Sequence, residues 1–104
     1  MASMKSDEAL DFVQMKDGTS YMGEVTNPSF EFVIGGGSRL TLARDHVISI
    51  EMRNRIGLTK DRVHTKDGSQ ILGDLVTPTL SFTSDETGPL NLPFADVLVV
   101  QLTF

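Results

Sequence analysis

Apolar and polar positions alternate along most of the chain. Val13 and Met15 flank a polar residue, Lys-Asp-Gly follows at 16–18, and Tyr21 to Thr26 resumes a near-alternation. That order predicts strand, tight turn, strand, because Asp-Gly accepts the positive φ angles that hairpin turns require. Asn27-Pro28 breaks the second strand. Phe30, Phe32 and Ile34 then share one face at period two, Gly35-Gly36-Gly37-Ser38 supplies a hairpin, and Leu40 and Leu42 begin the return strand. After a short link around Ala43 to Asp45, the β-branched and apolar run Val47 to Met52 predicts a fifth strand. The segment reads as a five-strand meander. The one helix signal is Ser6 followed by Asp7, Glu8, Ala9 and Leu10, where a serine cap and first-turn acids predict a short N-terminal helix of at most two turns.

The same pattern then repeats. Shifted by 50 residues without a gap, Val13 to Asn54 overlays Val63 to Phe104. Val13, Lys16, Asp17, Gly18, Gly23, Pro28, Phe32, Leu40, Leu42 and Val47 recur as Val63, Lys66, Asp67, Gly68, Gly73, Pro78, Phe82, Leu90, Leu92 and Val97. Turn glycines and apolar positions persist, whereas Arg44 and His46 face Phe94 and Asp96. The repeat therefore preserves a backbone plan more than a chemistry. It divides the chain into a first repeat over 1–54 with its N-terminal extension, a basic connector over 55–62, and a second repeat over 63–104.

Short strands with strong alternation can remove their exposed edges by curling into a small barrel. Gly23 and Gly73 fall mid-strand, where glycine weakens pairing, so a sharp bend or bulge is expected at both. A unit of about 42 residues is marginal as an independent core without disulfides or metal, so the halves are expected to pack together. Disulfides and thiolate zinc sites are excluded, because the chain has no cysteine. The 39% hydrophobic and 22% charged fractions are those of a folding globular chain. No apolar run approaches a spanning helix, and Lys5, Asp7 and Glu8 occupy the place of a signal-peptide core, which gives a cytoplasmic expectation with no membrane partner.

The net charge of −5 is unevenly spread. Residues 53–66 carry five basic side chains and one acidic, while residues 67–104 carry five acidic and no basic. Broad nonspecific binding to nucleic acid is disfavoured, because that affinity comes from Lys and Arg displacing phosphate counterions. Arg53, Arg55, Lys60, Arg62 and Lys66 remain a local contact strip or a solvated connector.

In both halves the order apolar-x-x-Lys-Asp-Gly, four residues, Gly, acid, apolar, followed by aromatic alternation, a hairpin and Val-x-x-Ile or its equivalent, resembles the Sm and LSm family, including the Hfq group. Val13 to Glu24 and Val63 to Asp74 are similar to the first Sm motif, and His46-Val47-Ile48-Ser49 resembles the stretch before the last Hfq strand. The resemblance covers about 84 of the 104 residues as two tandem copies. It implies an all-β chain of tandem five-strand Sm-like (SH3-like) small barrels, pairing of neighbours through strand edges into a homo-oligomeric ring, and single-stranded RNA bound in loops near a pore. The sequence departs from the family in lacking the Asp then Asn after the bend and any Arg-Gly, and Hfq's Tyr-Lys-His is reduced to Arg44, Asp45 and His46. Aromatic stacking beside cations is how single strands are usually held, which makes Asn27, Phe30, Arg44 and His46 the RNA-binding candidates, with Tyr21 behind them.

Catalytic chemistry has little to build on. His46 and His64 lie in different repeats without a surrounding carboxylate cluster, and the triglycine lacks the Lys-Ser/Thr of a phosphate loop. No catalytic residue, metal, cofactor or small-molecule substrate is expected. Two classes of function remain: a ring-forming Sm-like protein that binds single-stranded RNA, and a structural or protein-interaction module of a bacterial or phage assembly that joins copies edge to edge without a nucleic-acid ligand.

Overall fold

The computed structural model describes residues 10–53 and 60–102. It is all-β: β1 Asp11–Met15, β2 Ser20–Val25, β3 Ser29–Ile34, β4 Ser38–Ala43, β5 Val47–Glu51, β6 Asp61–Thr65, β7 Gln70–Leu75, β8 Thr79–Ser84, β9 Gly88–Pro93 and β10 Val97–Gln101. Single 3-10 turns at Gly35–Gly37, Arg44–His46 and Phe94–Asp96 connect some of them. β6 begins at Asp61, so the last two positions of the basic 55–62 stretch are strand. The expected N-terminal helix falls largely on 1–9, outside the described residues. Among the described residues no helix is long and apolar enough to cross a membrane.

All ten strands form one curled antiparallel sheet in the order β4-β3-β7-β6-β5-β10-β1-β2-β8-β9. Replacing each strand by its repeat counterpart turns this order into its own reverse. The two halves are thus related by a pseudo-twofold axis between β5 and β10, where Ile50 pairs with its counterpart Val100.

The two halves exchange strands. A meander requires β2 to pair with β3, but β2 pairs with β8, and β7 pairs with β3. The reason is local. Positive-φ residues among those described are Gly18, Gly36, Gly37, Gly68 and Gly88, which serve the β1–β2, β3–β4, β6–β7 and β8–β9 hairpins. No such residue separates β2 from β3 or β7 from β8. The links Thr26-Asn27-Pro28 and Val76-Thr77-Pro78 therefore carry the chain onward instead of folding it back. One group of five strands is consequently β10-β1-β2-β8-β9 and the other is β5-β6-β7-β3-β4, each built from both halves.

The mid-strand glycines sit at the exchanged seams. A Cβ on Gly23 would lie 2.1 Å from the Thr83 carbonyl oxygen, and one on Gly73 would lie 2.8 Å from that of Val33. The crowding comes from the neighbouring backbone of the other half, not from a bulge: β2 keeps its register with β1 through Gly23, as β7 does with β6 through Gly73. On the concave side Val13, Val47, Ile50, Val63, Val97 and Val100 are at most 1% exposed and form a valine-rich centre around the axis. Phe30, Phe32, Leu80 and Phe82, from the exchanged strands, close that core on both sides.

Candidate functional site

Each half opens its first strand with an aspartate, Asp11 on β1 and Asp61 on β6, buried to 1% and 2% exposure. Both accept a backbone N–H from the second strand of the same half, Val25 to Asp11 and Leu75 to Asp61, each at 2.8 Å. A buried carboxylate also needs a cation nearby, since desolvation otherwise costs several kcal/mol. The halves supply it differently. Arg44, in the turn after β4, donates Nη2 to Asp11 at 2.7 Å and Nε to the Val25 carbonyl at 2.7 Å. The counterpart of Arg44 is Phe94, whose buried ring meets Phe30 edge-on with centroids 6.3 Å apart.

Asp61 is bound instead by Arg53, just past β5, through the backbone N–H at 2.7 Å and Nη2 at 3.3 Å. The same Nη2 reaches Asp74 at 2.6 Å. Hydrogen bonding to Asp61 holds the Arg53 guanidinium above its ordinary pKa. On the outer face Arg62 donates Nε to Glu51 at 2.7 Å. Two of the basic residues of the 53–66 strip are therefore neutralised within the chain.

A second pair of equivalent clefts lies at the hairpin turns. The Lys66 N–H donates to the His46 carbonyl at 3.0 Å, and the Lys16 N–H donates to that of Asp96 at 2.8 Å, so each Lys-Asp-Gly turn leans on the other half's 3-10 turn. The first cleft is lined by His46, Lys66, Leu42 and Ile71, the second by Asp96, Lys16, Met15 and Tyr21. Asp67 accepts the Thr65 hydroxyl and the Ser69 N–H, which lowers its pKa, and Asp17 is lowered by Thr19 in the same way. Among the described residues no group of His, Asp or Glu is arranged to hold a metal.

Comparison with protein-family models, with curated proteins and with solved structures finds no match to this chain.

The sequence candidates do not converge on one surface. Phe30 is fully buried and presents no face to a base. Asn27 is 7% exposed, with Nδ2 donating to the Thr79 carbonyl at 3.1 Å and Oδ1 accepting the Ser81 N–H at 2.7 Å. It extends the β2–β8 seam past the end of β2, and Thr77 does part of the same work at the other seam by accepting the Glu31 N–H. Arg44 lines a cleft with Asn27, but its Nε and Nη2 are directed to Val25 and Asp11. His46 is exposed, in the separate cleft beside Lys66, and Tyr21 is half-buried against Phe82.

The strands β4 and β9 follow from the sequence pattern, but their place at the two outer edges of the sheet does not. β4 pairs in register with β3 from Ser38 to Ala43, and the ladder continues at Arg44, whose N–H donates to the Pro28 carbonyl at 2.9 Å. Antiparallel residues alternate between facing the paired strand and facing away. Arg44, Leu42, Leu40 and Ser38 therefore face β3, and Arg39, Thr41 and Ala43 turn their N–H and C=O groups outward. On β9 the equivalent parity, fixed by the Phe94 N–H on the Pro78 carbonyl, turns Pro89, Asn91 and Pro93 outward. Of these only Asn91 has an N–H. The two edges thus share a backbone path and differ in donors: β4 presents three, β9 one.

Proposed function

We propose that this chain is a structural or protein-interaction module that works through its sheet edges, and that its two five-strand groups are Sm-like (SH3-like) units with exchanged strands. The observation that carries this is the outer edge of β4, where the N–H groups of Arg39, Thr41 and Ala43 have no partner among the described residues. An unpaired edge is a template for a further strand, and natural sheets without a partner for it usually cover or block it. Here one of two equivalent edges is obstructed by proline, and the other pairs with no strand among the described residues. Edge assembly needs neither a catalytic group nor a polyanion, which suits the net charge of −5.

A second reading, single-stranded RNA binding by an Sm-like assembly, draws support from the cleft where exposed His46 and Lys66 stand beside the apolar Leu42 and Ile71. It is the weaker reading, because burial removes Phe30 and internal hydrogen bonds occupy Asn27 and Arg44. Size exclusion with light scattering, with and without U-rich and A-rich oligonucleotides at two salt concentrations, separates the two. The interaction-module reading expects a discrete oligomer indifferent to RNA. A monomer that binds oligonucleotides at low salt would overturn it.

A further inference from the structure

We infer that β4 is the seam of a closed twofold dimer of this chain, β4 against β4 of a second copy, and that Pro89 and Pro93 stop growth at the other end. This rests on the reading of the chain as an edge-assembling module and names its partner. The occupant follows from the strand itself. Placed antiparallel about a twofold axis at Thr41, Thr41 faces Thr41 of the second copy and Arg39 faces its Ala43, so every outward donor of both strands meets an outward acceptor. On the face that carries Leu42, which packs against the core, half-buried Leu40 lies opposite the other copy's Leu42, so apolar side chains meet across the seam. The neighbouring registers, with the axis at Leu40 or Leu42, match only two of the three outward donors on each strand, and an axis at Arg39 matches fewer still and sets the two Arg39–Glu31 ion pairs side by side.

The same strand cannot be continued at β9. Pro89 and Pro93 remove two of the three outward donors there, and a proline ring on an edge obstructs an incoming strand. An isologous contact at β4 with a blocked β9 gives a closed pair, whereas two open edges would give fibres. The internal repeat also supplies the folding control. Arg39 and Ala43 are the counterparts of Pro89 and Pro93, so this backbone already accommodates proline at those places.

The test is sedimentation velocity on the full chain from roughly 1 µM to 1 mM, a range that covers weak, small interfaces. Three variants accompany it. Arg39→Pro with Ala43→Pro copies the β9 edge onto β4 and is expected to be a folded monomer with unchanged circular dichroism. Pro89→Arg with Pro93→Ala copies β4 onto β9 and is expected to assemble beyond a dimer. Thr41→Cys, in a chain with no native cysteine, is expected to form a disulfide-linked dimer on mild oxidation, because hydrogen-bonded antiparallel pairs bring Cα atoms to about 5.5 Å. A wild-type oligomer that survives the two prolines while Thr41→Cys fails to cross-link would overturn the β4 seam and leave edge assembly standing. A wild-type monomer across the whole range would overturn both.

Discussion

Asp11 and Asp61 occupy the same place in two copies of one backbone, yet different residues neutralise them. At Asp11 the cation is Arg44, held at 20% side-chain exposure between the carboxylate and the Val25 carbonyl. At Asp61 the equivalent position is Phe94, and the cation arrives from Arg53, 46% exposed and shared with Asp74. The fold demands that each buried carboxylate have a donor set, but it does not dictate which strand end provides it. Where the turn residue carries the charge, the neighbouring core loses an aromatic ring. Where the turn residue is Phe94, the core gains an edge-on contact to Phe30 and the charge moves to a more solvated arginine.

Substitutions at these positions separate the two solutions, and chemical denaturation reads them. Phe94→Ala is expected to cost most, about 4 kcal/mol, because it empties a buried aromatic site against Phe30. A loss under about 1 kcal/mol would mean that the ring is not part of the core. Gly23→Val should cost about 3 kcal/mol and exceed Gly73→Val, since its Cβ would be driven into the Thr83 carbonyl more deeply than the other into that of Val33. Equal tolerance at both would mean that the seams are looser than described.

Arg44→Ala should cost about 2 kcal/mol, below the usual figure for breaking a buried pair because part of the guanidinium is solvated. Arg53→Ala should cost less, under about 1 kcal/mol, since its own N–H and that of Leu75 still reach Asp61. The reverse order would make Arg53 the more important cation.

The smallest effect belongs to the exposed hairpin turns. Asp67 has its pKa depressed by the Thr65 hydroxyl and the Ser69 N–H, so its contribution is present above the unfolded-state value and is lost as pH falls through the lower folded value. Carboxyl chemical shifts should therefore show both Asp67 and Asp17 titrating below a free aspartate. Thr65→Val should raise Asp67 and leave Asp17 unchanged, because Asp17 has Met15 where Asp67 has Thr65. A common shift in both would point to a global change instead.

Strands and hairpins were legible in the sequence because their determinants are local. Alternation marks Phe30, Phe32 and Ile34 as one face, and Asp-Gly and triglycine mark the reversals. The exchange between halves is not legible there, since pairing partners distant in sequence are chosen by packing. A signal existed nonetheless: Asn27 tolerates positive φ elsewhere, but the proline that follows it holds it extended, so Thr26-Asn27-Pro28 lacks the residue pair of a tight hairpin. The Arg44–Asp11 pair joins residues 33 positions apart, a distance at which no sequence spacing rule applies. Likewise Asn27 looks like a loop amide until its carbonyl and amide groups are seen bridging to β8. Pro89 and Pro93 become edge markers only when the strand order is known.

Strand exchange between the halves is tested most directly by nuclear Overhauser contacts in a dilute, isotope-labelled sample. Cross-strand amide and Hα contacts between Gly23–Val25 and Phe82–Ser84 are expected, matched by contacts between Asp74–Leu75 and Phe32–Val33, and unchanged on further dilution. Contacts joining Gly23–Val25 to β3 of their own half would contradict the exchanged sheet.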